Sequence, residues 1–592
     1  MRMVETLHHG PFYRTGTWID EQAGVYVGWS VLKDSFADQM PLANEDGTVV
    51  LVFSGEEFPE PGTAARLARQ GHRLDPGGCE YLVHLYEADR SFPANLNGRF
   101  HGLLVDRTRG TAMLFNDRFG MHRVHYHKAS DGFYFAAEAK AILAVRPELR
   151  QPDPRGVAEF IACGCVMENR TFFQDIRVLP GASVWMFRHG DLETQGTYFQ
   201  PREWEEQDVL EPAAYSREIR EVFSRNLARY FNAHQPVALS LTGGLDTRMI
   251  MAWHKASPGS LPCYTFGSMF RDCRDVLVAR RVARACHQPH EVIGVGQAFL
   301  TSFARYAERT VYLTEGCADV SRAPDLYVNE KAREIAPVRM TGNYGGEVLR
   351  RVRAFKPVQP APELFHPELL PYVRQAVETY AGAVSGHPLS FAVFKQAPWH
   401  HYGLLALEQT ELSLQSPYLD NDFVRTVFRA PESAVTSNEA CLRLIAAGNP
   451  GLLTIQTDRG QTAGAGPLSA AARGLLELQF KAEYAYDYGM PQWVAAIDHA
   501  LERLHLERLF LGRHKFYHFR VWYRDALSPY LREVLLDQRA LSRPYLQRRR
   551  LEAMVQSHVK GERNHTAALH KVLTLELLHR LFFDSSRPVV PA

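Results

Sequence analysis

Short apolar or alternating segments, separated by turn residues, dominate the first 200 or so residues of the chain. Segments of this kind run over residues 24–32, 48–55, 98–117 and 122–143. Such segments between Gly, Asp and Asn turns predict strands, and the third predicts a hairpin that turns through Asp106 to Gly110. Helical patterns are fewer, and the clearest begin at Cys79 and Pro154. We therefore predict an α+β sheet domain that ends near Gln200.

The pattern changes after a polar stretch at residues 201–215, which we interpret as a linker leading into a helix. Long helical patterns now alternate with short apolar segments at residues 236–242, 261–267, 289–295 and 336–347. Alternating strands and helices at this spacing predict a parallel α/β sheet. We therefore expect one domain over residues 1–205 and another over 206–592. The second domain is predicted to have a sheet core at about 211–350 and a helical region at about 360–592.

Composition limits the classes of function. The chain has 592 residues, too many for one hydrophobic core, so about two to four domains are expected. Its net charge of +1 at pH 7 does not indicate a nucleic-acid partner. No apolar run reaches the roughly 18 residues of a membrane span, and the first residues do not resemble a signal peptide. Together with eight scattered cysteines, these features predict a cytoplasmic protein with reduced thiols.

Candidate chemistry begins at the turn Thr242-Gly243-Gly244, which follows an apolar segment and precedes a helical pattern. Glycines allow close approach of the backbone, and a helix start offers unpaired N–H groups that suit phosphate. The lysine of a P-loop and the three glycines of a dinucleotide fingerprint are absent. We interpret the turn as a pyrophosphate-binding loop, with Asp246 placed to hold Mg²⁺. The alternative is an ordinary strand-to-helix turn with a capping hydroxyl.

A second glycine-bearing turn spans residues 341–350 and contains one acid, Glu347. Taken alone it is an ordinary loop. Two such turns at neighbouring strand ends could hold one nucleotide between them, with Asp246 and Glu347 sharing the metal ion. The pair of turns therefore favours a nucleotide site.

Several motifs in order resemble the asparagine synthetase superfamily. In the second half, "TGGLDT" (242–247) resembles the family's Ser-Gly-Gly-Leu-Asp-Ser loop, and related motifs follow at 264–293, 415–424, 457–460 and 564–582. In the first half, the segments 96–126, 135–143 and 159–182 resemble the family's glutaminase domain. The resemblance implies an N-terminal α+β sandwich of the Ntn-hydrolase type (class II glutamine amidotransferase). An α/β pyrophosphate-loop (PP-loop ATPase) synthetase domain with a large helical C-terminal part would follow it.

The sequence departs from the glutaminase pattern. The family's glutaminase uses a cysteine exposed as the mature N-terminus, where this sequence has Arg2, and its first cysteine is Cys79. The amide-binding asparagine of the family is replaced by Ser54. Without that nucleophile, the resemblance implies a domain that has kept the fold and lost glutaminase activity.

The second turn also departs from the family. Asparagine synthetases carry aspartates where this chain has Asn343 and Gly346. With one inserted residue, Tyr344 and Glu347 match the tyrosine and aspartate of the β-lactam synthetase branch, where the tyrosine takes part in deprotonating the amine. Tyr344 is then a candidate catalytic base, and a buried structural tyrosine is the alternative. Arg459 stands for the family lysine and could hold a phosphate or oxyanion.

The resemblance implies an ATP- and Mg²⁺-dependent carbon–nitrogen ligase that adenylates a carboxylate, after which an amine displaces AMP. The implied catalytic residues are Tyr344 and Arg459, and the implied metal ligands are Asp246 and Glu347. The implied ATP-binding residues are Leu239, Thr242, Gly243, Gly244, Asp246, Thr247, Phe266 and Gly342. Substrates would be small-molecule or peptide carboxylates and amines, and a homodimer is one expected assembly.

Several readings stay open at this stage. Closure could be intramolecular, as in β-lactam synthetases or lasso peptide cyclases of the superfamily, or it could join two molecules or use free ammonia. Related pyrophosphate-loop enzymes modify tRNA, but the balanced charge argues against that class. A catalytically decayed nucleotide-binding scaffold is the remaining alternative, because Asn343 and Gly346 replace acids.

Overall fold

The computed structural model describes residues 1–74, 78–233, 235–359, 361, 363–460, 467–500, 507 and 511–584. Within these residues the predicted order of an α+β half followed by a parallel α/β sheet and a helical region is confirmed. Parts of the predicted helical region, at 360, 362, 461–466, 501–506, 508–510 and 585–592, lie outside the described residues. No helix in the described part is both long and apolar enough to cross a membrane.

The first half is built around an antiparallel six-stranded sheet. The strands of this half are β1 Tyr13–Asp20, β2 Val25–Leu32, β3 Leu42–Ala43, β4 Val49–Glu57, β5 Gly98–Asp106, β6 Thr111–Asn116, β7 His125–Ala129, β8 Gly132–Ala136, β9 Arg177–Val178, β10 Ser183–Arg188 and β11 Asp191–Thr197. The large sheet has the order β11-β10-β6-β5-β4-β3, and β1-β2 and β8-β7-β9 form two smaller sheets. Its helices are Arg2–Thr6, Thr63–Arg69, Tyr81–Ala88, Ala139–Val145 and Pro154–Cys163, with a single turn at Pro147–Leu149.

The predicted hairpin is the connection between β5 and β6. Asp106 accepts hydrogen bonds from the Arg109 N–H at 3.0 Å and the Thr108 hydroxyl at 2.6 Å. Gly110 closes the turn with φ of 63°, a conformation that glycine adopts without strain. Local chemistry therefore fixes this register, in which Asp106 pairs with Thr111.

The second half holds a five-stranded sheet in which every pairing is parallel. Its strands are β12 Val237–Ser240, β13 Cys263–Ser268, β14 His290–Val295, β15 Val338–Met340 and β16 Ser413–Gln415. The order is β14-β13-β12-β15-β16, so the chain builds outward on one side of β12 and then continues on the other. The change of direction lies between β12 and β15, the position where open α/β sheets bind their ligands.

Helices cover this sheet and form the rest of the chain. Those up to β16 are Arg202–Glu205, Pro212–Tyr230, Asp246–Trp253, Arg274–Ala285, Gln297–Thr301, Phe303–Thr314, Ala323–Ile335, Gly345–Arg350, Leu370–Val384, Pro388–Phe391 and Tyr402–Gln409. Those after β16 are Asn421–Phe428, Glu432–Val435, Glu439–Gly448, Pro467–Tyr484, Gln492–Ala500, Phe519–Arg524, Ser528–Leu535, Gln538–Leu541, Arg548–Val559 and Thr566–Leu578. Tight single turns occur at Val320–Arg322, Pro367–Leu369, Pro417–Leu419 and Pro450–Thr454, and wider π-helical segments at Ala392–His401, Ala485–Gly489 and His579–Phe583.

The cores of the two halves are continuous. Helix Pro154–Cys163 of the first half packs against Leu370–Val384 of the second, and Phe160 belongs to the same buried cluster as Leu573. A buried polar centre adds to this junction, since Asp420, which is fully buried, accepts hydrogen bonds from Asn97 at 3.1 Å and Asn226 at 2.7 Å. The domain boundary at residue 205 therefore stays a prediction, because side chains of the two halves pack together in one core.

Candidate active site

A cavity of about 600 Å³ opens at the carboxyl ends of β12, β13 and β15. Of the predicted site residues, the cavity is lined by Thr242, Gly244, Asp246, Thr247, Phe266, Gly342, Tyr344, Glu347 and Arg459. It lies at the change of strand direction, and its volume is in the usual range for small-molecule sites. Both glycine-bearing turns therefore face one cavity, as the sequence predicts.

The first turn is organised by hydroxyl and carboxylate contacts. The Thr242 N–H donates to the Thr247 hydroxyl at 3.2 Å, and the Gly243 N–H donates to Asp275 Oδ1 at 2.8 Å. The Gly243 amide therefore already has an acceptor, and Gly243 does not line the cavity. Leu239 is fully buried in the core below it and does not line it either. Thr242, Gly244 and Thr247 of this turn do line the cavity.

The two turns approach each other so closely that glycine is required at the contact. A Cβ atom on Gly342 would lie 2.9 Å from the Thr247 nitrogen, and one on Gly345 would lie 2.7 Å from the Asp246 carboxyl carbon. Ordinary Cβ contacts are longer than these distances. The Tyr418 hydroxyl also donates to the Asp246 carbonyl at 2.6 Å. The cavity therefore has a preformed floor made by both turns.

Asp246 lies in this cavity as half of an ion pair. Arg350, at the end of the second turn, donates two hydrogen bonds of 2.9 Å to its two carboxylate oxygens. Burial raises the pKa of Asp246, and the Arg350 charge opposes that shift. A bidentate arginine is the strongest partner for a carboxylate among the side chains. A metal ion bound by Asp246 would therefore have to share this carboxylate with Arg350 or displace Arg350 from it.

Glu347 lies on the other side of the same cavity. Its carboxylate is 3.4 Å from Nε2 of His401, the last residue of the π-helical segment. Burial alone would raise the pKa of Glu347, but the neighbouring His401 lowers it. Glu347 also raises the pKa of Asp246, so the two carboxylates act on one another across the cavity. Carboxylate oxygens with phosphate oxygens are suitable ligands for Mg²⁺, so these two residues fit a metal that is bound together with a nucleotide.

A second pair of acids lies behind the first turn. Burial and the neighbouring Asp458 raise the pKa of Asp275 to about 7, and burial also raises the pKa of Asp458. Arg459 extends from the same segment, with its Nε 3.9 Å from Asp458 and its guanidinium 4.4 Å from the centre of the Phe480 ring. Its side chain is 57% exposed and can move toward the cavity that it lines.

Comparison with protein families identifies both halves of the chain. Residues 1–199 match a family model described as a glutamine amidotransferase domain, and residues 218–374 match one described as asparagine synthase. The chain belongs to the asparagine synthetase superfamily. The fold class inferred from the resemblance is therefore confirmed.

Curated members of the asparagine synthetase superfamily are distant from this chain. Asparagine synthetase [glutamine-hydrolyzing] 1 of Bacillus subtilis (strain 168) is 23% identical over 371 residues, which cover 60% of this chain and 57% of that protein. Asparagine synthetase [glutamine-hydrolyzing] 2 of the same organism is 25% identical over 293 residues, covering 46% and 38%. The chain thus matches about half of its relatives' length or less. A solved B. subtilis glutamine phosphoribosylpyrophosphate amidotransferase is 11% identical, covers 50% of this chain and 66% of its own, and has a TM-score of 0.24, too low to support an argument.

Tyr344 of this superfamily member is a buried tyrosine in a left-handed backbone conformation, with φ of 72°. Its ring contacts His401 edge to face at 5.9 Å between centroids. Burial raises the pKa of Tyr344. The phenol therefore lines the cavity but is harder to deprotonate than a free tyrosine, and its assignment as a base stays a prediction.

The cavity also carries charges that the sequence did not indicate. Arg322 lines it and lies 3.6 Å from Asp325, in the first turn of helix Ala323–Ile335. Glu408 accepts hydrogen bonds from Asn343 at 3.3 Å and from Arg339 at 3.0 Å. Arg322, Asp325 and Glu408 therefore line the same cavity as the two turns.

A separate cavity of about 170 Å³, lined by residues of both halves, contains Ser54. Ser54 lies there with its hydroxyl 2.9 Å from Nε2 of His122. Glu56 lines the same cavity, and burial raises its pKa to about 7. Among the described residues no cysteine lines it, and Cys79 is in the buried core instead.

Sequence reasoning missed three side chains that set the properties of the active site: Arg350, His401 and Asp275. Arg350 is part of the second glycine-bearing turn, so the sequence shows its charge there. The sequence does not show that Asp246 is its partner. Asp275 lies in the first turn of the helix after β13, where an acid is favourable to the helix dipole in many proteins. His401 had no local signal, because the π-helical segment that carries it is brought to the site by tertiary packing.

Proposed function

We propose that this chain is an ATP-dependent amide-forming ligase that activates a carboxylate as an acyl-adenylate and joins it to an amine. The observation that carries the proposal is the single cavity lined by both glycine-bearing turns, with Asp246 and Glu347 on its walls. This arrangement supports a nucleotide with its phosphates between the turns. Membership of the asparagine synthetase superfamily supports the reaction class.

The side chains suggest a division of roles. The Thr242 and Thr247 hydroxyls and the Gly244 amide would bind phosphate oxygens at the start of helix Asp246–Trp253, where the helix dipole favours negative charge. Phe266 and Gly342 would contact the adenosine. Asp246 and Glu347 would hold Mg²⁺, which when bound neutralises charge on the phosphates. Arg350, released from Asp246, would then be free to pair with a phosphate.

The proposed reaction has two displacements. A substrate carboxylate oxygen attacks the α-phosphorus of ATP, and the bond to pyrophosphate breaks as pyrophosphate leaves. The amine nitrogen then attacks the acyl carbon, the bond to the AMP oxygen breaks, and the nitrogen loses a proton. Arg459 is proposed to stabilise the negative charge that develops in the second step.

We further propose that the nitrogen does not come from glutamine. Ser54 stands where the resemblance implies the family's amide-binding asparagine, and no described cysteine lines the cavity that contains it. A purified sample that releases glutamate from glutamine would contradict this part of the proposal. The amine would instead belong to the acceptor, either on the same molecule as the acid or on a second one.

Location of the protein in the cytoplasm and its assembly as a homodimer stay predictions.

The decisive experiment is acid-dependent exchange of labelled pyrophosphate into ATP, with a panel of amino acids, short peptides and small dicarboxylic acids. Exchange with any acid, lost in Asp246→Asn, supports adenylation. If Mg·ATP binds, as measured by calorimetry, and no acid in a panel drawn from all three groups gives exchange, adenylation is rejected.

A second candidate, a nucleotide-binding scaffold without catalysis, is favoured by one specific observation. Both oxygens of Asp246 are bonded to Arg350, and the Gly243 amide is bonded to Asp275. The scaffold predicts ATP binding that does not depend on Mg²⁺. Titrating ATP with and without Mg²⁺ distinguishes it from the ligase.

A further inference from the structure

Two histidines and two glutamates converge in the first half of the chain, away from both cavities. Glu45 follows β3, His72 follows helix Thr63–Arg69, and His84 and Glu87 lie one turn apart on helix Tyr81–Ala88. One ligand atom from each of the four lies within 4.8 Å of every other. Among the described residues, this is the one place where three or more potential metal-ligating side chains meet in this way.

The distances within the group are close to those of a metal site. The Oε2 atom of Glu87 lies 2.8 Å from Nδ1 of His84 and 3.9 Å from Nδ1 of His72. Glu45 lies 3.9 Å from Nδ1 of His84 and 4.0 Å from Nδ1 of His72. A tetrahedral zinc ion with bonds of about 2.1 Å needs ligand atoms about 3.4 Å apart. The separations lie on both sides of that value, so shifts of about half an ångström in the side chains would complete the geometry.

The two imidazole rings face the same pair of carboxylates. Their centroids are 4.3 Å apart with the planes at 31°, and the Nδ1 atoms of both lie near the same two carboxylates. A cation placed between these ligand atoms would contact all four side chains.

Neighbouring groups hold the two glutamates in orientation. The Asn44 side-chain amide donates to Glu87 Oε1 at 2.8 Å, which leaves Oε2 for the histidines. The Arg73 N–H donates to Glu45 Oε1 at 3.1 Å. Hydrogen bonds to the ligand side chains are a regular feature of metal sites, because they fix the ligand orientation.

We propose that Glu45, His72, His84 and Glu87 form a binding site for a divalent transition metal of the zinc class. Imidazole nitrogen with carboxylate oxygen suits Zn²⁺, whereas Mg²⁺ and Ca²⁺ prefer oxygen ligands throughout. The site is structural, because it joins three segments separated in sequence and lies outside the candidate active site. It does not depend on the proposed ligase activity.

The test uses the full-length protein, treated with chelator and then titrated with Zn²⁺ or Co²⁺. The expected result is one equivalent of a tight site, with the intense visible absorption of tetrahedral Co²⁺ and a rise in the unfolding temperature on adding Zn²⁺. Glu45→Gln and His72→Ala are the test variants, because Glu45 is exposed and His72 half-buried, whereas His84 is buried. The matched control is His366→Ala, which changes another half-buried histidine, one that lies 3.8 Å from Glu368.

Both variants are expected to bind Zn²⁺ at least tenfold more weakly and to lose the Co²⁺ absorption, while their circular dichroism and the behaviour of the control stay unchanged. Two results would overturn the proposal. One is a folded wild-type protein that binds no Zn²⁺ at micromolar concentration. The other is a tight metal that both variants retain, which would mean that it binds elsewhere.

Discussion

Replacing Gly342 by alanine tests whether the two turns work as one site. A Cβ atom there would lie 2.9 Å from the Thr247 nitrogen, and 3.0 Å from both Asp246 Cβ and Thr247 Cγ2. Two of these three atoms belong to the backbone or to Cβ and cannot rotate away. The turns must therefore separate by several tenths of an ångström, and overpacking of this kind costs about 1–3 kcal/mol. Because Thr247 and Asp246 move with the first turn, we expect the free energy of Mg·ATP binding to weaken by a similar amount, which corresponds to an affinity about 5- to 150-fold lower.

The control for this substitution is Gly294→Ala. Gly294 is an exposed glycine in β14 of the same sheet, and a Cβ atom there would meet nothing within 4 Å. Calorimetric titration with Mg·ATP measures the affinity, and denaturant unfolding measures the stability. We expect Gly294→Ala to bind as wild type. If Gly342→Ala also binds Mg·ATP as tightly as wild type, the nucleotide does not depend on contact between the turns, and the assignment of this cavity fails.

Three further outcomes follow from other contacts. Asp246→Asn keeps the shape of the side chain but removes its charge, so Mg²⁺ is expected to strengthen ATP binding less than in wild type. In the exposed control Asp272→Asn, Mg²⁺ should strengthen ATP binding as much as in wild type. An equal effect of Mg²⁺ in both variants would contradict the metal assignment. Burial raises the pKa of Glu56 from 4.5 to about 7, so this carboxyl group should cost wild type at most about 3 kcal/mol of stability as pH rises from about 4.5 through about 7. Glu56→Gln should remove this contribution, which is measured as the difference in the free energy of unfolding by denaturant between pH 4.5 and pH 8. A difference as large as that of wild type would contradict the prediction. Asp420→Asn should destabilise the protein by about 3 kcal/mol or more, because it leaves Arg229 without its buried charged partner. A decrease of less than about 1 kcal/mol in the free energy of unfolding by urea would contradict this prediction.

Elements with strong local patterns were predicted correctly from the sequence. The segments at 236–242, 289–295 and 336–347 contain β12, β14 and β15, and the segment at 261–267 covers all of β13 except its last residue, Ser268. The fifth strand of that sheet, β16, was missed. It has three residues, and its extended form depends on parallel pairing with β15, a contact that no local pattern encodes. The polar stretch at 201–215 was predicted as a linker, but it includes the short helix Arg202–Glu205, whose Trp204 is buried.

The sequence alone determined that two glycine-bearing turns, each after an apolar strand and each with an acid nearby, would be available for phosphate. Those features depend on residues that are neighbours along the chain. Only the tertiary structure decided what the acids face, since Arg350 and Asp246 are 104 positions apart and meet because the sheet places β15 beside β12. The same holds for Glu347 and His401. Charge partners over such separations are set by strand order, and strand order follows from how the whole chain buries its apolar surface.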